Sequence, residues 1–254
     1  MDNEIIKVCG LWKAFGGHEV LRGVDLSVPE GRITTIIGKS GTGKSVLLKN
    51  IIGILKPDRG EIFFEGRDLT KMKDQELLEL RRSMGYLFQD AALFDFMSVE
   101  ENICFPLVEQ LGLRDGGELK RRVARLLELV ELPGIEKKYP SELSGGMRKR
   151  VGLARAIAVE PRIVLFDEPT TGLDPILAES IDQLIIRVNR ELGMTCIVIS
   201  HDIASIFSFT DRLALLYDGV IEFDGTPEEA KRSDHRILRQ FISNSFRQID
   251  SERR

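Results

Sequence analysis

Apolar and polar positions alternate from Glu4 to about Phe15 and again from Val20 to Val28, the two-residue period of half-buried strands. Pro29-Glu30-Gly31 marks a turn, and Ile33 to Ile37 then reads as a buried strand. The spacing predicts a helix next, ended by Lys56-Pro57-Asp58-Arg59-Gly60, and a short strand over Glu61 to Glu65 closed by Gly66. Helical periodicity runs from Asp74 to Arg82, with Asp74 as its expected N-cap, and Met84 to Phe88 is strand-like up to Gln89. From about 90 to 160 the pattern is almost wholly helical, over Val99 to Leu111, Gly117 to Val130 and Gly145 to Val159. Strand character returns at Ile163 to Phe166, Thr195 to Ile199 and Leu213 to Tyr217. Asp218-Gly219 then predicts a hairpin into Val220 to Phe223. Strands alternating with helices argue for an α/β core around a mainly parallel sheet, with a helical segment inserted in it.

The tail, 233–254, has its own pattern. Asp234 is placed to cap a helix in which Ile237, Leu238, Phe241, Ile242 and Phe246 share one side, with Arg236, Arg239, Gln240 and Asn244 largely on the other. The core is complete by about Gly225, so this apolar stripe either packs on the chain's own core or docks on a neighbouring subunit or a small regulatory partner.

Composition adds limits. With 254 residues, 43% hydrophobic and 30% charged, the chain can bury a sizeable core as one large domain or two small ones. A net charge of −4 gives no global positive field, which argues against a dedicated nucleic-acid binder, and Arg148-Lys149-Arg150 reads as a solvated helix face. Cys9, Cys104 and Cys196 lie far apart without metal-type spacing, and are expected to be small buried hydrophobes in a reducing compartment. The acidic start Met1-Asp2-Asn3-Glu4 does not resemble a signal peptide, and no apolar run approaches the roughly 20 residues that span a bilayer. A soluble, cytoplasmic protein is expected, able to sit on a membrane through a partner.

The candidate chemistry begins at Gly38-Lys39-Ser40-Gly41-Thr42-Gly43-Lys44-Ser45, between the strand ending at Ile37 and the run Val46 to Ile52. It fits the phosphate-loop pattern G-x-x-x-x-G-K-[ST] at each fixed position. Glycines let backbone N–H groups turn toward phosphate oxygens, the helix N-terminus favours the anion, Lys44 can reach the β and γ phosphates, and Ser45 can ligate Mg²⁺. Ile163 to Phe166 ends on Asp167-Glu168. Asp167 suits a Mg²⁺ shell, and Glu168 suits a general base acting on water, although a lone acidic pair after a strand more often caps a helix. Leu143-Ser144-Gly145-Gly146-Met147 opens a second helix with small residues and a hydroxyl, a second anion-type helix end. Two such ends leave a choice between two nucleotides in one chain and an end that serves a neighbouring subunit.

In family order, the phosphate loop, Gln89, LSGGM, IVLFDE, Thr171-Gly172-Leu173-Asp174 and His201 resemble the ATP-binding subunit of an ABC transporter over nearly the whole chain. The resemblance implies a P-loop NTPase (RecA-like) core with an antiparallel β subdomain and an inserted helical subdomain at about 90–160. It also implies a cassette over 4–232, with the C-terminal helix and tail at 233–254. ATP and Mg²⁺ would be sandwiched in a head-to-tail homodimer. Gly38 to Val46 of one subunit would face Ser144, Gly145 and Gly146 of the other. By the same resemblance, Phe15 stacks on adenine where a tyrosine is usual, and Gln89 senses Mg²⁺ and the water. His201 contacts the γ-phosphate and stabilises the transition state with Glu168, and Asp174 bridges the two sites. Met147 stands in place of the family's glutamine, a side chain that is not the main phosphate donor. Catalysis would rest on Glu168, His201 and Gln89, and the metal on Ser45, Gln89 and Asp167.

Leu87 to Val99, Glu101 to Leu107 and Pro140 to Arg150, including the methionine of LSGGM, resemble the Mce/Mla-type lipid transport ATPases. That implies a subunit on the inner face of the inner membrane, held by integral-membrane permease subunits, with room for a small regulatory protein and a lipid-binding Mce-type subunit. Phe94, Phe96, Met97 and Phe105 are then either core packing of the helical segment or a groove for a short permease helix. The alternatives are an importer ATPase for amino acids or other polar solutes, and a soluble ABC ATPase of translation or DNA repair. The latter usually has two nucleotide-binding halves or a long coiled-coil insertion, and this chain has one half and no heptad run. A P-loop kinase would not need LSGGM.

Overall fold

The structure, a computed structural model, describes residues 3–200 and 206–243. The chain forms two compact units, Met1–Leu77 with Thr195–Arg254, and Leu78–Met194.

In the first unit the two long alternating segments are β1 (Glu4–Phe15) and β2 (His18–Pro29), paired antiparallel. With β4 (Arg59–Phe64) and β5 (Arg67–Asp68) they form a sheet in the order β2-β1-β4-β5. Ile5, Ile6, Val8 and Leu11 of β1 are buried, and irregularities in its pairing with β2 at Glu4/Ile6 and Val8/Leu11 break the simple alternation that the hydrophobic pattern predicts. The five residues of β3 (Ile33–Ile37) are all buried. It pairs in parallel with β8 (Thr195–Ile199) on one side and β9 (Arg212–Tyr217) on the other. β10 (Val220–Gly225) closes the hairpin at Asp218-Gly219. Thr35 fits this interior because its hydroxyl shares a 2.6 Å hydrogen bond with that of Thr210. Helix α1 (Lys44–Ile51) follows β3 and stops well before Lys56; Arg59 and Gly60 already belong to β4. Asp58 spends its carboxylate on the Ala14 N–H at 2.7 Å and the Lys13 ammonium at 2.8 Å, fixing the return to the sheet.

The tail stripe is covered by this same unit. Residues 236–243 are helical, and Leu238 is fully buried among Ile37, Ile206, Leu213, Leu215 and Ala230. Ile237, Phe241 and Ile242 pack against that cluster, so self-packing describes the stripe over the described residues. Asn244 and Phe246 lie outside the described residues. Asp234 is not the cap: His235 accepts the Leu238 N–H through Nδ1 at 3.4 Å, and Asp234 pairs with Arg239 instead. A short helix, α7 (Pro227–Arg232), precedes the tail behind a capping box of Thr226 and Glu229.

The second unit is built on β6 (Met84–Leu87) and β7 (Ile163–Asp167), parallel and in register from Met84 opposite Ile163 to Leu87 opposite Phe166. The unit boundary falls within α2 (Asp74–Arg81). Asp74 is the first residue of that helix rather than its cap, and Glu76 reaches back to the Lys73 N–H at 2.8 Å. Three helices follow within the segment read as helical: α3 (Val99–Leu111), α4 (Gly116–Leu129) and α5 (Gly145–Ile157). A Ser98/Glu101 capping box opens α3 and Asp115 caps α4. α6 (Pro175–Leu192), which the hydrophobic pattern did not single out, buries Ile181, Leu184, Ile185 and Val188.

The basic run on α5 is not a solvated face. Only Arg148 is exposed. Arg150 donates to the Val130 carbonyl at 2.9 Å and to Glu131 at 2.8 Å, and Arg187 donates to the Leu129 carbonyl at 2.9 Å, so two cations satisfy the last carbonyls of α4. Lys149 is buried. Of the cysteines, Cys196 is buried as expected, whereas Cys9 and Cys104 are only half-buried.

Candidate functional site

The phosphate loop lies between β3 and α1, in the first unit. Gly43 is the N-cap of α1 with φ 97°, and a Cβ there would come within 2.7 Å of Val20 Cγ1. A Cβ on Gly38 would clash with the Leu216 carbonyl and lie 2.9 Å from Thr42 Oγ1. Gly38 is thus required by close approach, and Gly43 by close approach as well as by its backbone angle. No side chain caps α1 and no acid lies in its first turn, so no fixed negative charge on this helix opposes an anion at its N-terminus. Lys44 is only 4% exposed, and its ammonium donates to the carbonyls of Gly38 and Lys39, each at 2.9 Å. The loop therefore wraps a buried cation. Lys39, Ser40 and Gly41 are exposed, and Thr42, Ser45 and Val46 are half-buried. Phe15 ends β1 with 46% of its surface exposed, and the Lys13 ammonium lies 5.5 Å from its ring centroid.

The acidic pair lies at the end of β7, in the second unit. Asp167 is 6% exposed and accepts the Tyr86 hydroxyl at 2.9 Å. Burial, then the Asp167 charge, pushes the Tyr86 phenol well above its ordinary pKa, so it is a proton-bearing donor to that carboxylate. Glu168 has φ 49°, a left-handed angle unusual for a non-glycine residue. Thr171 holds it twice, its N–H to the Glu168 carbonyl at 3.2 Å and its hydroxyl to Oε2 at 3.0 Å. Asp174 caps α6, accepting the N–H groups of Ile176 and Leu177 at 3.1 Å each. Gln89 lies exposed in the turn after β6. His201 lies outside the described residues.

In the same unit Ser144 caps α5, accepting the Met147 N–H at 3.3 Å. Ser144 and Gly145 are exposed, and the first turn carries no acid. This is a helix end open to an anion from outside the chain. Sequence reasoning missed Tyr86 and the buried Lys149. The parallel register of β6 and β7 sets Tyr86 opposite Leu165, two positions before Asp167 at the end of β7, a pairing that only the structure shows.

After Gln89, Ala91 and Ala92 adopt φ of 60° and 49°, and an aromatic group follows. The Phe94 ring lies 5.8 Å from Phe96 and 5.0 Å from Phe105. Phe96 is 75% exposed and Phe105 40%, so this cluster is an accessible surface more than a core.

A strand, a glycine-rich loop around a buried lysine and a helix with an uncapped N-terminus define a phosphate-loop nucleotide-binding protein. The family description "ABC transporter" matches residues 21–171, and the chain belongs to that family as an ATP-binding, ATP-hydrolysing component. It is 41% identical to the "Intermembrane phospholipid transport system ATP-binding protein MlaF" of Haemophilus influenzae, over 95% of this chain and 91% of that protein. It is equally 41% identical to the "Probable ribonucleotide transport ATP-binding protein mkl" of Mycobacterium leprae, over 94% of this chain and 68% of that one. For the Mycobacterium tuberculosis protein of the same name the chain spans 66% of its length. Among solved structures it is similar to the dimeric ATP-binding cassette MJ0796 bound to ADP and Pi, with TM-score 0.81 and 34% identity over 87% of this chain and 98% of that one. It is similar too to cbiO1 of Clostridium perfringens, part of the ABC transporter complex cbiONQ, with TM-score 0.81 and 31% identity over 95% and 98%. No helix among the described residues is long and apolar enough to cross a membrane.

Proposed function

We propose that this chain powers a transporter of phospholipids or related lipids, as a homodimer on the inner face of the inner membrane. The similarity to MlaF along nearly the whole of both proteins carries the reading, supported by the methionine-bearing signature at Met147. The cassette is residues 4–232 and the tail 233–254. Permease subunits would dock at the Phe94, Phe96 and Phe105 surface, whose exposed rings suit a short amphipathic helix. A lipid-binding Mce-type subunit and a small regulatory protein would complete the assembly.

The residues of each unit suit the chemistry of ATP hydrolysis. Lys44 and the uncapped amides of α1 hold the β and γ phosphates, with Gly38 to Val46 as the cradle and Phe15 stacking on the base. Ser144, Gly145 and Gly146 present the open end of α5 to the ATP of the partner subunit, and Asp174 would bridge the two sites. Ser45, Asp167 and Gln89 would hold Mg²⁺. The donor set fits a hard cation: a hydroxyl, an amide oxygen and a buried carboxylate whose other interactions include the Tyr86 hydroxyl. When bound, the ion supplies charge neutralisation at the β and γ phosphates. Glu168 takes the proton of the attacking water, and His201 stabilises the charge that develops on the γ-phosphate.

The test is purification of the tagged chain from membranes as wild type and as Glu168→Gln. The variant should lose turnover by about 10²-fold or more, as expected for removal of a general base, and keep ATP binding. Co-purifying permease with bound phospholipid supports the lipid reading. The mycobacterial relative's name favours ribonucleotides as a second reading, and a complex whose ATPase responds to ribonucleotide and not to phospholipid would establish that one.

A further inference from the structure

Lys149 is in the buried stripe of α5, five positions after Ser144, and is 6% exposed. Its Nζ donates to the Thr171 carbonyl at 2.5 Å. The same Thr171 donates its N–H and its hydroxyl to Glu168, at 3.2 and 3.0 Å. Ammonium, peptide carbonyl, hydroxyl and carboxylate thus form one line of hydrogen bonds from the signature helix to Glu168. The line supports a residue whose own backbone is in a sparsely populated conformation, at φ 49°. Burial of the ammonium is unfavourable and pushes its pKa down, opposed by the nearby charges of Asp90 and Glu168. A methionine of similar length would fill the same space without that cost, so packing alone does not account for a cation here.

We propose that Lys149 is a positioning residue for ATP hydrolysis: it fixes the Thr171 peptide and, through the Thr171 hydroxyl, the carboxylate of Glu168. A displacement at the Ser144 end of α5 is thereby passed to the chain's own general base. This rests on the assignment of Glu168 as that base.

The test uses the full chain, with phosphate release for turnover, equilibrium binding of a fluorescent ATP analogue, and thermal unfolding. Lys149→Met should lower kcat about tenfold, part of the roughly 10²–10⁴-fold a general base contributes, with KM and nucleotide Kd changed by no more than about twofold. Its Tm should be unchanged or higher, because a desolvated charge has been removed, whereas a merely structural residue would lower Tm and kcat together. Lys149→Arg, which keeps a cationic donor, should recover most of the turnover, and Thr171→Ser should outperform Thr171→Ala. The double variant Lys149→Met/Thr171→Ala should turn over as Thr171→Ala does, since both act on one line. Wild-type kcat in Lys149→Met, a loss of kcat matched by a fall in Tm, or additive losses in the double variant would overturn the proposal. Glu168→Gln run alongside separates the two ideas. Wild-type turnover in that variant removes the base assignment, whereas an inactive Glu168→Gln beside an unimpaired Lys149→Met removes only the role of Lys149.

Discussion

Asn102 is the residue on which the segment after Gln89 depends, and its replacement by alanine gives a prediction with a size. The side chain is 0% exposed on α3. Its Nδ2 donates to the carbonyls of Phe94 at 3.1 Å, Met97 at 3.1 Å and Ser98 at 3.0 Å, and Oδ1 accepts the Phe94 N–H at 2.9 Å and Arg155 Nη1 at 3.4 Å. Two of the carbonyls have a second donor: Phe94 O takes the Met97 N–H at 3.1 Å, and Ser98 O takes the Asn102 N–H at 2.9 Å. Alanine therefore deprives the Phe94 N–H and the Met97 carbonyl of the partner each has here. Each such loss at a buried site costs about 1–3 kcal/mol, so Asn102→Ala should destabilise the chain by about 2–6 kcal/mol. Against a typical total of about 5–15 kcal/mol that is a large share. Urea unfolding with comparison of m values measures it, and amide exchange at Phe94 localises it. A change below about 0.5 kcal/mol, the range of ordinary surface substitutions, with Phe94 exchange unaltered, would refute the reasoning.

Two further outcomes follow from the phosphate loop and the tail. Gly43→Ala places a methyl 2.7 Å from Val20 Cγ1 at a backbone φ of 97°. It should cost about 1–3 kcal/mol of strain and weaken ATP binding at least about tenfold in equilibrium titration; unaltered affinity would defeat it. Truncation before Ser233 uncovers Leu213, Leu215 and Ile37 by removing Leu238 and its half-buried neighbours. A net loss of at least about 2 kcal/mol should lower Tm by about 4–8 °C, and an unchanged Tm would show that the tail is not part of the fold of its unit.

What was legible in the sequence was local, and what was not depended on approach between distant segments. The strands and the loop–helix start at Lys44 could be read because period, turn residues and glycine spacing all act within a few positions. Asp74 proved to be the first residue of its helix, and at the tail two acceptors stand side by side. Asp234 and His235 both offer an acceptor, and the pairing of Asp234 with Arg239 leaves His235 to take the helix N–H. The aromatic residues from Phe94 to Phe105 could not be assigned to core or surface, because one-dimensional pattern does not say which face another molecule covers. Lys149 differs, since a signal for it was present. Arg148-Lys149-Arg150 reads as one basic cluster in sequence, yet successive helical residues point about 100° apart, so three neighbours cannot share one solvated face. Gly146, Lys149, Leu153 and Ile157 recur at the spacing of one buried stripe. Asn102 likewise falls in the buried stripe with Val99, Ile103 and Pro106. A polar residue inside an apolar stripe must find its hydrogen bonds within the protein. In both helices that requirement leads to a backbone carbonyl beside a functional segment: Thr171 next to Glu168, and Met97 beyond Gln89.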